Sequence, residues 1–437
     1  MHGFARGAVY TSTTSTAPAV ACTRGGRSRW GDALRTAIHH HHRRRRRGLA
    51  GWFVHQSPTD SAGLLSPSAT AGVLLALLVV VSLSIRSVAA GAGPITVTAP
   101  VGDARQRPPT DGTSAPPSAP VTLAFGGDVQ FENWLAEAVR ADPQATLAPL
   151  AGLLGEADMA VVNLETAVTD RGTPAPKAYT FRAPEQGLTA LRSAGVDVVS
   201  IANNHGMDFG HQGLTDTQRS VRAAGLGLVG GGRDAAKAFR PHVATIHGRR
   251  VAVLGATQVL DANATTAWAA GVDRPGLASA KAEGHGLPRL INAVRRAAAH
   301  ADTVVVMLHW GREKEQCPLP RQQRLVEQLR AAGADIIVGG HAHRLAGGGY
   351  VGDTIVHYGL GNLVVPVARG PATTSGVLMV TIAPDDRASI AWRPAVLRDG
   401  VASAVNGSGA TSATRAWEDL RGCTNLQPGP GTDGSRI

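Results

Sequence analysis

The chain has 437 residues, 43% of them hydrophobic, and a formal net charge of +11. A chain of this length and apolar content can bury the core of one large domain, which excludes a wholly disordered protein. Its three cysteines include no C-x-x-C pair, which excludes cysteine-based zinc modules and thioredoxin-like redox chemistry.

Residues 1–68 carry most of the positive charge. They contain ten arginines, five of them in the run Arg43 to Arg47, against two aspartates, so they account for +8 and leave +3 for the rest of the chain. Their Ser, Thr, Gly, Arg and Ala content has no apolar period, and we predict a disordered basic segment. Because these arginines lie outside the predicted folded domain, on the side that the topology below places in the cytoplasm, we expect no nucleic-acid partner.

An uncharged apolar segment follows at residues 69–85. As a helix it spans about 25 Å at about 1.5 Å per residue, which is marginal for a bilayer. The arginines lie upstream and only Arg86 follows closely, so the positive-inside rule predicts a single-pass membrane anchor with the C-terminal part outside the cytoplasm. Small residues at 87–92 also resemble a signal-peptidase site, and a cleaved, secreted form is the alternative.

Residues 86–120 are rich in proline and predict an extended linker. Beyond it, short β-branched apolar runs alternate with amphipathic segments up to residue 397, which predicts a layered α/β domain. The predicted strands are 121–125, 159–162, 196–201, 251–255, 303–308, 336–338, 355–358 and 377–382, and the predicted helices are 188–194, 218–224, 287–299 and 321–332. Residues 398–437 return to Gly, Ser, Thr, Ala and Pro, and we expect a flexible tail.

Polar side chains follow the predicted strands at five places, at the edge where open α/β sheets build their sites. In chain order these side chains are Asp128; Asn163 and Glu165; Asn203, Asn204, His205 and Asp208; His309; and His341 and His343. Carboxylate, amide and imidazole are ligands that suit Zn, Mn or Fe. Each place alone is a weak signal, whereas the five in this order predict a metal site.

These motifs, together with Leu360-Gly361-Asn362, resemble the signature of the poly-gamma-glutamate capsule-synthesis CapA family within the calcineurin-like metallophosphoesterase superfamily. The resemblance covers about residues 121–397. It implies a four-layered sandwich in which two mixed β-sheets lie between helices, with the site at the strand ends.

The resemblance also implies roles for individual residues. The metal ligands would be Asp128, Glu165, Asn204, His309, His341 and His343, holding one or two divalent ions of Mn, Zn or Fe. His205 would face the substrate and Asp208 would hold it in one tautomer, although a carboxylate at a helix start is an equal alternative for Asp208. Further site positions are Asn163, Asn203 and Asn362.

Two positions depart from the superfamily pattern. Gln130 stands where a histidine is usual, and Glu165 stands where a bridging aspartate is usual. The residue types therefore support one metal more firmly than two.

The resemblance implies two activities that do not coincide. The superfamily hydrolyses phosphoesters or related anhydrides, with His205 protonating the leaving group. The family serves synthesis or export of an anionic surface polymer, so the expected partner is that polymer or a phosphoester substrate. The rival interpretation is a non-catalytic module that binds the polymer and retains the metal site.

Cysteine pairing is a separate question. If the chain is exported, Cys317 and Cys423 share the oxidising side and can form a bridge. Two unrelated thiols are an equally good interpretation.

Overall fold

The computed structural model describes residues 117–260 and 265–431. The predicted basic segment 1–68, the predicted anchor 69–85 and nearly all of the linker lie outside the described residues. Within the part that is described, no helix combines the length and the hydrophobicity that a bilayer crossing needs.

The described residues form strands and helices in alternation. The strands are β1 Val121–Val129, β2 Met159–Leu164, β3 Ala167–Val168, β4 Arg182–Ala183, β5 Val198–Ser200, β6 Gly227–Val229, β7 Gly231–Gly232, β8 His242–Ile246, β9 Arg249–Thr257, β10 Gly276–Leu277, β11 Thr303–His309, β12 Ile336–Gly340, β13 Gly348–Val351, β14 Thr354–His357, β15 Asn362–Val364, β16 Thr374–Ile382, β17 Ala388–Arg398 and β18 Val401–Ala404. The α-helices are α1 Trp134–Ala141, α2 Pro143–Thr146, α3 Ala148–Leu154, α4 Gln186–Ser193, α5 Gly210–Ala223, α6 Ala235–Ala238, α7 Thr265–Trp268, α8 Gly286–Ala298, α9 Pro320–Ala331 and α10 Gly407–Asp419. Short 3-10 turns occur at Glu283–His285, Gly370–Thr373 and Leu420–Cys423.

Two mixed β-sheets carry the fold. The first has the strand order β15-β18-β17-β16-β1-β2-β5-β6, with β15 also pairing with β1, and the second has the order β13-β14-β12-β11-β9-β8. In the first sheet β1, β2, β5 and β6 are parallel, and in the second β9, β11, β12 and β14 are parallel. Antiparallel strands flank both parallel sets. The prediction of a mixed α/β fold with helices and more than one sheet is confirmed.

Both faces of the central strands are buried, which explains their continuous apolar sequences. Along β1, Leu123 and Phe125 join a cluster that also contains Val253 and Val305 of the second sheet. The intervening Ala124 belongs to a different cluster, formed with α1, α3, α4 and α5. On the far side of the second sheet, α8 and α9 contribute to a third cluster. Apolar side chains therefore fill the space between the sheets and the space under the helices on each side.

The register of the parallel strands sets the position of the polar side chains. Asp128 lies opposite Asn163 of β2 and Asn362 of β15, and His309 lies opposite Gly340. The pairing of β1 with β2 shifts between Phe125 and Asp128, next to Gly127. A Cβ atom at Gly127 would lie 2.0 Å from the carbonyl oxygen of Gly361, so only glycine lets that loop approach.

The expectation of a flexible tail beyond residue 398 was wrong for the residues up to 431. Strand β18 pairs with β17, and Trp417 of α10 is buried in the apolar cluster between the two sheets. A disulfide between Cys317 and Cys423 ties the turn after α10 to the loop that follows β11. The composition of this segment alone predicts disorder. It is ordered by strand pairing, by the buried Trp417 and by the disulfide.

Candidate metal centre

All of the predicted site residues except Asn362 lie at or just after the C-terminal ends of strands from both sheets. Asp128 is the next-to-last residue of β1, Asn163 is the next-to-last residue of β2 and Glu165 follows that strand, and His309 is the last residue of β11. Asn203, Asn204, His205 and Asp208 follow β5, His341 and His343 follow β12, and Asn362 begins β15. The sheet edges therefore bring together side chains that are far apart in the sequence.

Three ligand-type atoms converge on the imidazole of His309. Its Nε2 atom lies 2.7 Å from Asn204 Oδ1, 3.1 Å from His341 Nδ1 and 3.1 Å from Glu165 Oε1. Glu165, His309 and His341 are all buried, and their ligand atoms lie within 4.8 Å of one another. One imidazole nitrogen carries at most one proton, so it cannot satisfy three acceptor atoms at once.

A second group of ligand atoms adjoins the first and shares Glu165 with it. Asp128, Glu165 and His343 also have ligand atoms within 4.8 Å of one another. His343 Nδ1 lies 3.3 Å from Asp128 Oδ2, and His343 Nε2 lies 4.0 Å from Glu165 Oε2. Glu165 is therefore placed between two potential ligand groups.

Both carboxylate oxygens of Asp128 accept hydrogen bonds. Asn163 Nδ2 donates to its Oδ1 atom at 2.8 Å, and the backbone N–H of His341 donates to its Oδ2 atom at 3.1 Å. A Cβ atom at Gly340 would lie 2.4 Å from Asp128 Oδ1, so that position is restricted to glycine. Asn163 is in turn fixed by Asn203, whose Nδ2 donates to Asn163 Oδ1 at 3.0 Å.

The loop after β12 has an unusual backbone. His341 has φ of 91° and His343 has φ of 51°, a region that residues with a Cβ seldom adopt. Asn362 supports this geometry, because its Oδ1 atom lies 2.7 Å from His343 Nδ1. Backbone strain of this kind is concentrated at functional sites.

The three histidines differ in charge. Burial lowers the pKa of His309 to about 3 and that of His341 to about 3, so both rings are neutral near pH 7 and keep a lone pair for an ion. Burial also acts to lower the pKa of His343, but the carboxylates of Glu165 and Asp128 raise it to about 10. Without an ion, His343 supplies positive charge beside the two carboxylates.

The residues present fit a divalent cation. Asp128 and Glu165 are fully buried, and Glu165 Oε1 has no hydrogen-bond partner. Buried carboxylates are stabilised by a counter-charge, and one imidazolium offsets only one of two negative charges. Carboxylate, amide oxygen and neutral imidazole together suit Mn, Zn or Fe. These side chains therefore provide donors for at least one ion.

His205 lies beside this centre in a separate arrangement. Its Nδ1 atom is 2.6 Å from Asp208 Oδ2, and its ring stacks on Phe181 with the centroids 3.9 Å apart. The backbone N–H of Phe181 donates to Asp208 Oδ2 at 2.6 Å, and Lys177 Nζ lies 2.8 Å from Asp208 Oδ1. Because Nδ1 is engaged by the carboxylate, Nε2 is the nitrogen left for other partners.

The side chain of Gln130 contacts Glu165. Its Nε2 atom donates to Glu165 Oε2 at 3.3 Å, and the side chain is almost fully buried. The amide therefore occupies one carboxylate oxygen at the point where the superfamily pattern has a histidine.

Sequence reasoning did not identify Lys177, Phe181 and Trp268. Lys177 and Phe181 lie in the irregular loop between β3 and β4, and Trp268 ends the short helix α7. Lys177 Nζ lies 5.3 Å from the Trp268 ring centroid and donates to the backbone oxygen of Asn204 at 2.6 Å. No periodicity marks such a loop, although a lysine between two prolines and an aromatic pair is a combination worth noting in a connection of this length.

Comparison with known proteins gives consistent results. A family model described as "Bacterial capsule synthesis protein PGA_cap" matches residues 122–366, more than half of the chain. The "Capsule biosynthesis protein CapA" of Bacillus anthracis is 36% identical over 190 residues, which cover 44% of this chain and 45% of that protein. The "PGA biosynthesis protein CapA" of Bacillus subtilis (strain 168) is 33% identical over 210 residues, covering 47% and 53%.

A "Probable polyglutamine synthesis accessory protein" of Mycobacterium tuberculosis (strain ATCC 25618 / H37Rv) is 31% identical over 189 residues, which cover 43% of this chain and 50% of that protein. The chain thus spans about half the length of each of these relatives. All of the residues with ligand atoms described above lie inside the range that the family model matches.

Proposed function

The chain belongs to the family of bacterial capsule synthesis proteins PGA_cap, and from this premise we propose that it serves the synthesis or export of an anionic surface polymer. We propose further that it does so through a metal-dependent hydrolase site of the phosphoesterase type. The relatives named for PGA and capsule biosynthesis favour poly-gamma-glutamate as the polymer. The described layering of helix, sheet, sheet and helix supports a metallophosphoesterase-like sandwich.

The observation that carries the hydrolase proposal is the convergence on His309 and Glu165 of ligand atoms from both sheets. Asp128, Asn204, His341 and His343 complete the set that would hold one ion, or two that share Glu165. A divalent ion bound there would supply a Lewis acid for a phosphoryl oxygen and would lower the pKa of water.

The general acid in the proposed reaction is His205. Asp208 fixes its Nδ1 side and Phe181 fixes the plane of the ring, so Nε2 can present a proton to a leaving-group oxygen. Lys177 holds the other oxygen of Asp208, which prevents that carboxylate from turning away from the imidazole. These contacts orient the general acid before any substrate binds.

The test is a comparison of His205→Ala with His211→Ala in the purified full chain. We expect His205→Ala to keep its metal and to lose about 100-fold or more in kcat toward an aryl phosphate, as removal of a general acid usually does. His211 is exposed on α5, and its alanine variant should match the wild type. Metal content is measured by elemental analysis and hydrolysis by release of the phenol.

A non-catalytic module is the second candidate, and Gln130 favours it. Its hydrogen bond to Glu165 Oε2 occupies an oxygen that a two-ion centre would use. Stoichiometric metal without turnover of any phosphoester would contradict the hydrolase proposal and leave polymer binding as the function of the site.

We also propose that residues 69–85 anchor the chain in the cell membrane with the folded domain on the extracytoplasmic side. The disulfide between Cys317 and Cys423 supports this location, because such bridges persist in oxidising compartments. A reporter that is active only outside the cytoplasm, fused after Val121, should give signal, and a cytoplasm-dependent reporter should not. The reverse pattern would contradict the proposal, and loss of the segment from the mature chain would indicate a cleaved signal peptide.

A further inference from the structure

A second cavity lies away from the metal centre, between the end of α8, strand β8 and the start of β9. It has a volume of about 250 Å³. Its buried lining, which we call the floor, is apolar and consists of Phe239 and alanines of β9 and α8. Its polar lining side chains are Arg240, Arg250, Arg296 and His300, and we call the cavity the arginine pocket.

The charged side chains that line the arginine pocket are all basic. Among residues 117–260 and 265–431, no carboxylate lines it. The guanidinium of the neighbouring Arg249 does not line it and pairs with Asp386 at 2.6 Å. The Oδ2 atom of Asp302 accepts the backbone N–H of Arg250 at 2.7 Å.

We propose that the arginine pocket binds a small amphiphile that carries a phosphate or carboxylate group. Guanidinium groups pair with such oxyanions through two parallel hydrogen bonds, and three of them stand around one cavity. The apolar floor fits a short hydrocarbon or aromatic part. The volume lies just below the usual range for drug-sized ligands, so the ligand is small.

The arginine pocket is independent of the metal centre. Ala301 and Arg250 lie where β11 and β9 begin, whereas the ligand His309 is the last residue of β11. The seven residues of β11 separate the two places by roughly 20 Å at about 3.3 Å per residue. A ligand in the arginine pocket therefore does not reach the proposed hydrolase site, and the proposal does not rest on hydrolysis.

The test is calorimetric titration of the full chain, purified in a non-ionic detergent and stripped of metal with EDTA. The probes are phenylphosphonate, benzoate, inorganic phosphate and benzyl alcohol. We expect at least one of the two aromatic anions to bind saturably and about tenfold tighter than inorganic phosphate, because it also covers the apolar floor. The neutral alcohol should not bind measurably.

Variants locate the binding. Arg250→Gln and Arg296→Gln should each weaken it about tenfold, since each removes a charge-assisted hydrogen bond. Arg415→Gln, an exposed arginine on α10, is the matched control and should leave it unchanged. Arg296 is exposed on a helix, so its variant keeps the test valid if Arg250→Gln fails to fold.

Three outcomes would overturn the proposal. The first is that neither aromatic anion saturates. The second is that Arg415→Gln weakens binding as much as the pocket variants. The third is that His343→Gln abolishes binding while the arginine variants do not, because the anion would then occupy the metal-free centre, where His343 is the cationic side chain. Dihexanoyl phosphatidate identifies the source of the ligand: tighter binding than phenylphosphonate supports a lipid headgroup, and weaker binding supports a soluble anion.

Discussion

Buried histidines occur in two clusters of the described domain, and the two clusters differ in their other residues. At the metal centre, His309 contacts Glu165, Asn204 and a second histidine, all through atoms with lone pairs. The aromatic cluster consists of His357, Trp392 and Trp417. There the imidazole stacks on the two indole rings, with centroids 5.3 and 5.9 Å away, and its Nε2 accepts the Trp417 Nε1–H at 2.9 Å.

Burial has the same effect on the charge of both rings. It lowers the pKa of His357 to about 3, as it does for His309. A neutral buried imidazole is therefore common to both places and does not identify a ligand. The partners make the difference, because carboxylate and amide oxygens can share a cation with an imidazole, whereas tryptophan packs against it and donates an N–H but offers no ligand atom.

The largest expected contrast concerns metal binding. His309→Ala should remove the bound ion altogether at micromolar metal, since even residues that merely support a ligand change affinity by about 10- to 100-fold. His357→Ala should keep the wild-type metal content. Elemental analysis of both variants after gel filtration is the measurement. Equal metal in the two variants would mean that the contacts around His309 do not form a metal site.

The complementary contrast concerns stability. His357→Ala should lower the free energy of unfolding by about 3 kcal/mol, because it leaves a cavity beside two indole rings and removes the acceptor of Trp417 Nε1–H. His211→Ala, at an exposed position, should change it by less than about 0.5 kcal/mol. Urea denaturation monitored by tryptophan fluorescence gives both values. A loss below about 1 kcal/mol would show that the aromatic cluster is not part of the cooperative core.

The two clusters also differ in how far the sequence predicts them. The proposed ligands of the metal centre follow strands of continuous β-branched residues, so the strand pattern alone places Asp128, His309 and His341 at strand ends. The aromatic cluster has no such guide. Trp392 lies in β17, where exposed and buried residues alternate, and α10 has Trp417 as its only buried residue in a Gly, Ser, Thr and Ala sequence.

The loop residues around His205 were unpredictable for a related reason. Lys177 and Phe181 are placed by hydrogen bonds to Asp208 and to the backbone of Asn204, and no regular element fixes them. Local sequence carries information on strand and helix periods, whereas these hydrogen bonds join positions 27 residues apart, which no local period marks.

Acid should destabilise the protein partly through the aromatic cluster. The folded-state pKa of His357, about 3, lies below its ordinary value of 6.5, so from pH 6.5 down to about 3 the unfolded chain binds a proton that the folded chain refuses. His357 therefore does not change the free energy of unfolding above pH 6.5. Below that pH it lowers the free energy of unfolding by about 1.4 kcal/mol per pH unit, or by about 2 kcal/mol at pH 5.

His357→Gln isolates that contribution, because glutamine does not titrate and all other groups are shared with the wild type. The free energy of unfolding is measured in urea at pH 7 and at pH 5 for both proteins. Its decrease between the two pH values should be about 2 kcal/mol smaller in the variant than in the wild type. Parallel pH dependence in the two proteins would show that the imidazole is accessible to protons in the folded state.

The smallest expected effect tests whether partners alone turn a buried histidine into a ligand. Gln130 is buried beside Glu165 and donates to its Oε2 atom at 3.3 Å. Gln130→His would add an imidazole to the carboxylate-rich cluster and free that oxygen. Metal affinity should rise up to about tenfold, with the free energy of unfolding of the metal-free protein changed by about 1 kcal/mol at most. Gln130→Ala is the control, because it frees the same oxygen without adding a donor. If both variants bind metal equally, the gain comes from releasing Glu165, and the position contributes no ligand of its own.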